Sequence, residues 1–223
     1  MDEELLREKS RLEALIRRAL TTYDLRPRNP GDIYVTEVTN CLRKAFFNIV
    51  FNAHPITANS SVLIGKALHE LLPKVLGNTF RGAEYEVPVE HSLGGGWVLK
   101  GRIDMLHDNV VYEFKFGNPE TDAKPMYIMQ ANAYAKMVGA EMYWLIIVDK
   151  RRLVVEATPG YPDEKLWQET LHRANILISS IKKELPPRGP DVAWECDNCP
   201  YNIICRKYRY WLLNTDSQLN NNK

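Results

Sequence analysis

Two carboxylates and an ammonium group fall close together in the stretch GRIDMLHDNVVYEFK, residues 101–115: Asp104, Glu113 and Lys115. Those are the groups with which a protein holds a divalent cation and readies a water for attack on an ester. Their spacing acquires meaning through the turn between them. His107-Asp108-Asn109-Val110 predicts a tight hairpin, because Asp and Asn both tolerate the left-handed backbone its centre requires. A two-residue loop pairs His107 with Val110, and counting outward sets Asp104 opposite Glu113. Directly opposed residues have Cβ atoms about 4.5–5.5 Å apart, and like charges so placed destabilise a sheet. Lys115, two residues beyond Glu113, projects from the same face, while Ile103, Met105, Tyr112, Phe114 and Phe116 form an apolar opposite face. A bound cation would remove the repulsion. The competing reading is a solvated hairpin in which Lys115 merely neutralises Glu113, so the rest of the chain must decide.

Other chemistry-bearing residues lie elsewhere. In SVLIGKALHELLPKVLG, the residues Lys66, His69, Glu70 and Pro73 share one stripe of a helix that is otherwise apolar. A lone helical histidine is more often structural than a ligand. Gln130 and Tyr134 are four apart in KPMYIMQANAYAKMVG and so share a helical face. CDNCPYNIIC supplies Cys196, Cys199 and Cys205, and the fourth cysteine, Cys41, is far upstream. A Cys-x2-Cys pair with a third cysteine close behind is a metal-chelate pattern. With Cys41 as fourth ligand, it would staple an N-terminal helix to the C-terminal segment. Zinc and an iron–sulfur cluster fit this spacing comparably well. A redox dithiol at Cys196 and Cys199 would leave Cys41 and Cys205 idle.

The elements that must position these residues can be read from periodicity and breakers. Residues 2 to about 20 predict an amphipathic helix, ended by RPRNPGD. A second helical stretch begins near Val35, with Thr36 or Thr39 as cap, and carries Cys41, Arg43 and Lys44. The helix from Ser61 contains Pro73, a potential kink. Strands follow at AEYEVPVEH, GWVLKGRIDML and VVYEFKFG, then the Gln130 helix. MYWLIIVDKRRLVVEAT predicts another hairpin and residues 163–184 a long helix. LPPRGP makes a rigid break before the cysteines, and NTDSQLNNNK reads as a disordered tail. Helices, antiparallel strands, a helix, strands and a helix in this order predict an α/β core with a mixed sheet.

At 223 residues, with 45% hydrophobic and 26% charged residues, the chain can build one substantial core. A net charge of +1 does not announce a nucleic-acid binder, although a local groove can be basic. No apolar run approaches a membrane span, and no signal-like segment opens the chain. A cytoplasmic location is expected, where cysteines more often hold metals than form disulfides.

The motifs GKALHE, GRID, EFK and QANAY, in that order before a cysteine triplet and with Cys41 upstream, resemble a RecB-like PD-(D/E)XK nuclease with an iron–sulfur staple. The resemblance is to the CRISPR-associated single-strand DNA exonucleases and runs from about Cys41 to Cys205. It implies an α/β, restriction-endonuclease-like core whose mixed β-sheet is flanked by helices, with N-terminal helices and a C-terminal segment joined by a four-cysteine cluster. One nuclease domain would span 1–223: an N-terminal helical region to about 60, a core at 61–185, a cluster segment at 190–212 and the tail at 213–223. The metal ligands fall on His69, Asp104 and Glu113, with the Phe114 carbonyl as a further oxygen. Lys115 becomes the catalytic lysine, and Gln130 and Tyr134 its Q-x3-Y partners. Cys41, Cys196, Cys199 and Cys205 become the ligands of a cluster, 4Fe–4S rather than 2Fe–2S. Gly101 stands where many relatives carry an acid. A histidine ligand favours manganese over magnesium.

The resemblance further implies exonuclease cleavage of single-stranded DNA from the 5′ end, prespacer trimming in CRISPR adaptation, and the CRISPR integrase proteins as partners. Arg43, Lys44, Arg102, Arg206, Lys207 and Arg209 are candidate phosphate contacts, with Tyr208, Tyr210 and Trp211 for base stacking. RKYRYW could equally pack a terminal helix. General DNA repair, a non-catalytic DNA-binding subunit and a redox cluster protein are the competing functions. The last leaves the hairpin acids, His69, Gln130 and Tyr134 without a purpose.

Overall fold

The computed structural model describes residues 3–22, 28–51, 60–121, 124–189, 194–197 and 199–206. Lys207, Tyr208, Arg209, Tyr210, Trp211 and the tail from 213 lie outside them. Six strands build one mixed sheet: β1 (Asp32–Tyr34), β2 (Glu84–Gly94), β3 (Trp97–His107), β4 (Val110–Phe116), β5 (Met142–Val148) and β6 (Val155–Gly160). The β3–β4 hairpin turns as its sequence predicts. Asp108 and Asn109 sit at φ 48° and 61°, and His107 pairs with Val110. The second hairpin, β5–β6, is also antiparallel, whereas β1 with β3 and β4 with β5 run parallel.

The pairing of β3 creates an opening. β2 follows one edge of β3 along most of its length, so β1 and β4 share the other edge. β1 pairs with Val98–Lys100 and β4 with Met105–His107. Gly101–Asp104 lie in the fork between them. The expected Asp104–Glu113 pair is therefore corrected: the β3–β4 ladder stops one residue short of it. Asp104 instead accepts the Phe114 amide on its own carboxylate, Oδ2 at 2.7 Å.

Helices cover both faces of β4. On the Val111, Glu113 and Lys115 face lies α5 (Lys124–Val138), backed by α6 (Glu164–Lys183), α2 (Val35–Thr39) and α3 (Leu42–Val50). On the Tyr112 and Phe114 face lies α4 (Ser60–Leu76), where Leu72 packs with Met105 and Phe114 in a smaller core. Pro73 is inside α4. Buried Ile33, Leu99, Val111, Ala131, Ala174 and Leu177 join strand to helix in the main core, each removing apolar surface from water.

The single helical stretch expected from Val35 is two helices, broken at Asn40–Cys41. Neither threonine caps the first. The Tyr34 amide donates to Glu37 at 2.9 Å, and Thr39 Oγ1 donates back to the Val35 carbonyl at 3.1 Å. The expected N-terminal amphipathic helix is α1 (Glu3–Thr22), with Leu6, Leu12, Leu15 and Ile16 exposed. A four-residue α7 (Trp194–Asp197) and a helical turn at 202–206 carry the late cysteines. Among the described residues no helix is long and apolar enough to cross a membrane.

Candidate active site

The fork in the sheet opens into a cavity of about 760 Å³, and His69, Asp104, Glu113, Lys115, Gln130 and Tyr134 all line it. Each arrives from a different direction. Asp104 comes from the unpaired part of β3, while Glu113 and Lys115 come from alternate positions of β4 on its α5 face. Gln130 and Tyr134, one turn apart on α5, reach down to them. His69 comes from α4, across the fork, its ring edge-on to Phe116 at 5.0 Å between centroids.

Gln130 is the hub of the polar network. Its Nε2 donates to Glu113 Oε1 at 2.7 Å and to the Tyr134 oxygen at 3.2 Å, and its Oε1 accepts Lys115 Nζ at 2.9 Å. Lys115 also donates to Glu113 Oε1 at 2.7 Å. One carboxylate oxygen of Glu113 is thus doubly held. The other, Oε2, is buried without a hydrogen-bond partner, on a residue only 1% exposed. A buried, unsatisfied carboxylate oxygen costs on the order of 1–3 kcal/mol unless something positive meets it.

The electrostatics follow. Burial first, then the neighbouring Asp104 charge, push Glu113 up to about 7 despite Lys115. Burial opposes charging of Lys115, but Glu113 and Asp104 outweigh it and hold the ammonium above its ordinary range. Burial likewise opposes protonation of His69, and Asp104 and Glu113 reverse that to raise it. Tyr134 is pushed far above the usual phenol range by burial and by the same two acids, so it remains neutral.

His69 Nδ1 and Asp104 Oδ1 are 3.2 Å apart but not aligned as a hydrogen bond, and the buried nitrogen has no hydrogen-bond partner. Two ligands at right angles on a cation, each about 2.1 Å away, sit about 3 Å from each other. Among the described residues, His69, Glu86 and Asp104 offer ligand atoms all within 4.8 Å of one another. His69 and Asp104 thus meet as expected. Glu86 was not anticipated, because in AEYEVPVEH it is one of several alternating acids that read as the solvated side of a strand. Tyr127, its ring 5.1 Å from Lys115 Nζ, was missed for a similar reason: a lone aromatic in an apolar helix reads as core.

Gly101 has a steric purpose. A Cβ there would stand 2.3 Å from Tyr134 Cε1, so only glycine lets the tyrosine lie against β3. The Tyr134 oxygen then accepts Gln130 Nε2 at 3.2 Å.

The four cysteines, none of them in a disulfide, line one small cavity between α3 and the C-terminal segment. Among the described residues no three of their sulfurs lie within 4.8 Å of one another, wider than the grip of one tetrahedral zinc, whose Zn–S bonds are about 2.3 Å. The two chain segments are tied here without any ion. The Cys41 amide donates to Glu195 Oε1 at 3.0 Å, and Tyr201 donates to Asn48 at 2.9 Å. The expectation that Arg43 meets DNA phosphate is corrected. It is 4% exposed and donates to the Pro187 carbonyl and to Cys205 Sγ, the latter at 3.2 Å. Burial, and then the neighbouring Glu195 charge, hold the Cys41 thiol above its ordinary range, and four thiols around one cavity are the donors that a thiolate-bound metal centre uses.

Three comparisons with known proteins bear on this site. Residues 12–206 match the family model for the PD-(D/E)XK nuclease superfamily. A search of curated proteins found no match. Among solved structures, the chain is similar to the crystal structure of SSO0001, with a TM-score of 0.70, 24% identity, and coverage of 87% of this chain and 95% of that one. It is also similar to the alkaline exonuclease LHK-Exo from Laribacter hongkongensis, with a TM-score of 0.53, 16% identity, and coverage of 69% and 89%. At such identities these likenesses speak for the fold, and the family match extends over the acids, the lysine and the cysteines alike. The chain belongs to the PD-(D/E)XK nuclease superfamily.

Proposed function

We propose that this chain is a divalent-cation-dependent deoxyribonuclease that digests single-stranded DNA from its 5′ end. The observation that carries the reading is the fork, where Asp104, Glu113, Lys115, Gln130 and His69 converge on one open cavity. A cation, manganese or magnesium, fits the site because Glu113 Oε2 and His69 Nδ1 are buried and unsatisfied there. His69, Asp104 and Glu113 would hold it, with the Phe114 carbonyl beside them. When bound, a divalent cation polarises the scissile phosphate and acidifies water in its shell.

The remaining steps belong to the chain. Lys115, kept protonated by its carboxylate neighbours, orients the attacking water and offsets charge growing on phosphorus, rather than acting as the base. Gln130 fixes the lysine by accepting one of its protons. Tyr134 accepts from Gln130, which leaves its own proton for a phosphate oxygen. Arg102, 41% exposed at the cavity wall, is placed to meet the DNA backbone.

The fold shared with an alkaline exonuclease supports attack at a strand end. The ordered motifs support a role in CRISPR adaptation, trimming prespacers for the CRISPR integrase proteins; general DNA repair is the alternative. Cysteines held outside any disulfide support a cytoplasmic site of action. The cysteine cavity would hold an iron–sulfur cluster, 4Fe–4S in the first instance, through Cys41, Cys196, Cys199 and Cys205. Bound there, the cluster would cross-link the two chain segments.

The test uses single-stranded and duplex DNA labelled at either end, incubated with manganese and either wild-type protein or Lys115→Ala. Progressive shortening of single strands from the 5′ end by wild type alone is expected. Equal products from both proteins would attribute the cutting to contamination and remove the proposal.

A further inference from the structure

We propose that Glu86 is a further ligand of the active-site cation, held in reserve by Arg102 until the cation arrives. The inference rests on the nuclease reading above and adds to it a residue that the motifs do not contain. Glu86 lies on β2, the strand that flanks Asp104 on the closed side of the fork. Its neighbours pair regularly, Tyr85 with Met105 and Val87 with Ile103, but Glu86 itself drops out of the ladder with φ at 55°. The left-handed region is strained for a residue with a side chain. At this position the distortion accompanies a carboxylate whose oxygen lies within 4.8 Å of the ligand atoms of both His69 and Asp104.

A cluster of acids alone would say little. Here, however, two independent atoms of the same cavity await a positive ligand: the buried Oε2 of Glu113 and the buried Nδ1 of His69. Glu86 is occupied differently. It forms an ion pair with Arg102 Nε, in which both side chains are only partly buried. Arg102 is one residue from the fork-lining Gly101 and two from Asp104, so cation and guanidinium compete for the same carboxylate.

The consequence is an exchange. A divalent cation that draws Glu86 away from Arg102 gains a second carboxylate beside Asp104 and one imidazole, a set that suits manganese. The same event releases the guanidinium at the cavity wall, where a DNA phosphate is its natural next partner. Cation binding would thereby prepare the site for the strand.

The experiment titrates manganese alone into the full chain without DNA, following free manganese by electron paramagnetic resonance. Four proteins are compared: wild type, Glu86→Gln, Arg102→Gln and Asp104→Asn. Melting without metal confirms the fold of each. Glu86→Gln is expected to weaken manganese binding about tenfold or more, the scale on which outer ligands act on metal affinity. Arg102→Gln is expected to strengthen it, because the competitor is gone. Wild-type affinity in Glu86→Gln, with Asp104→Asn impaired, would overturn the proposal and leave the nuclease reading intact. Unchanged affinity in Asp104→Asn as well would overturn both. Should Glu86→Gln fail to fold, Arg102→Gln decides: unchanged or weaker binding there also refutes the exchange.

Discussion

The Phe114 amide donates to Asp104 Oδ2 at 2.7 Å, a side chain replacing the carbonyl that a continued strand ladder would have supplied. That bond places Asp104 at the mouth of the fork with its other oxygen toward His69. It also explains how two acids can sit near each other without facing across a regular sheet, an arrangement that costs stability when both are charged. The strands part, one acid is anchored by backbone, and the other is anchored by Lys115 and Gln130.

The position of Lys115 separates binding from chemistry. Lys115→Met keeps the length of the side chain and removes its charge. DNA cleavage is expected to fall by about 10²–10⁴-fold, the usual reach of one acid–base or orienting group. Manganese binding should persist. Rate measurements on a labelled strand, paired with a manganese titration, check both parts; retained cleavage would remove Lys115 from the chemistry.

Gly101 is a steric requirement. Gly101→Ala drives a methyl to 2.3 Å from the Tyr134 ring, and either β3 or α5 must move. A loss of about 1–3 kcal/mol is expected in denaturant melting, the range of overpacked cores. Tyr134→Ala in the same chain should recover part of it by opening the space.

Asn132, fully buried on α5, grips the backbone of Asp163 twice. Its Nδ2 donates to the Asp163 carbonyl at 3.1 Å, and its Oδ1 accepts the Asp163 amide at 2.7 Å. Asp163 in turn caps α6 by accepting the Leu166 amide at 2.9 Å. Asn132→Ala strands two backbone groups and is expected to cost about 2–6 kcal/mol, at about 1–3 for each orphaned group. Equilibrium unfolding measures it, and a change below about 0.5 kcal/mol would show that water replaces the side chain.

The cysteine cavity makes a prediction that colour alone can check. Protein purified without oxygen is expected to be yellow-brown and to contain iron, and Cys41→Ser is expected to lose both. Colourless protein with one zinc per chain would replace the cluster with a zinc staple. Because the cation site lies elsewhere, chelation of manganese should leave the colour unchanged.

Some of the fold was legible in the chain and some was not, for reasons that differ by element. The Asp108-Asn109 turn was legible because left-handed backbone is a local preference of those two side chains. α6 was legible because apolar periodicity sustained over five turns marks a helix buried along one face, here through Trp167, Thr170, Ala174, Leu177 and Ile178. β1 was not, because three residues between two breaks carry no period, and only pairing with β3 makes them a strand. The break at Asn40–Cys41 was hidden in a run that reads as one helix, since Cys41, which opens the second helix, makes no side-chain cap to mark it. Arg43 read as a surface cation, and burial against Pro187 and Cys205 made it internal.

The sequence by itself determined the chemical inventory: which side chains can ligate, donate or carry charge, and which lie on a shared strand or helix face. It could do so because those properties follow from residue type and from periods of 2 and 3.6. Only the tertiary structure decided which members of that inventory meet. The fork in β3, the approach of His69 from the opposite face and the placing of Glu86 beside Asp104 arise from strands that divide one edge between two partners. Such a division is a contest among segments distant in the chain, and it is settled by the packing of the whole.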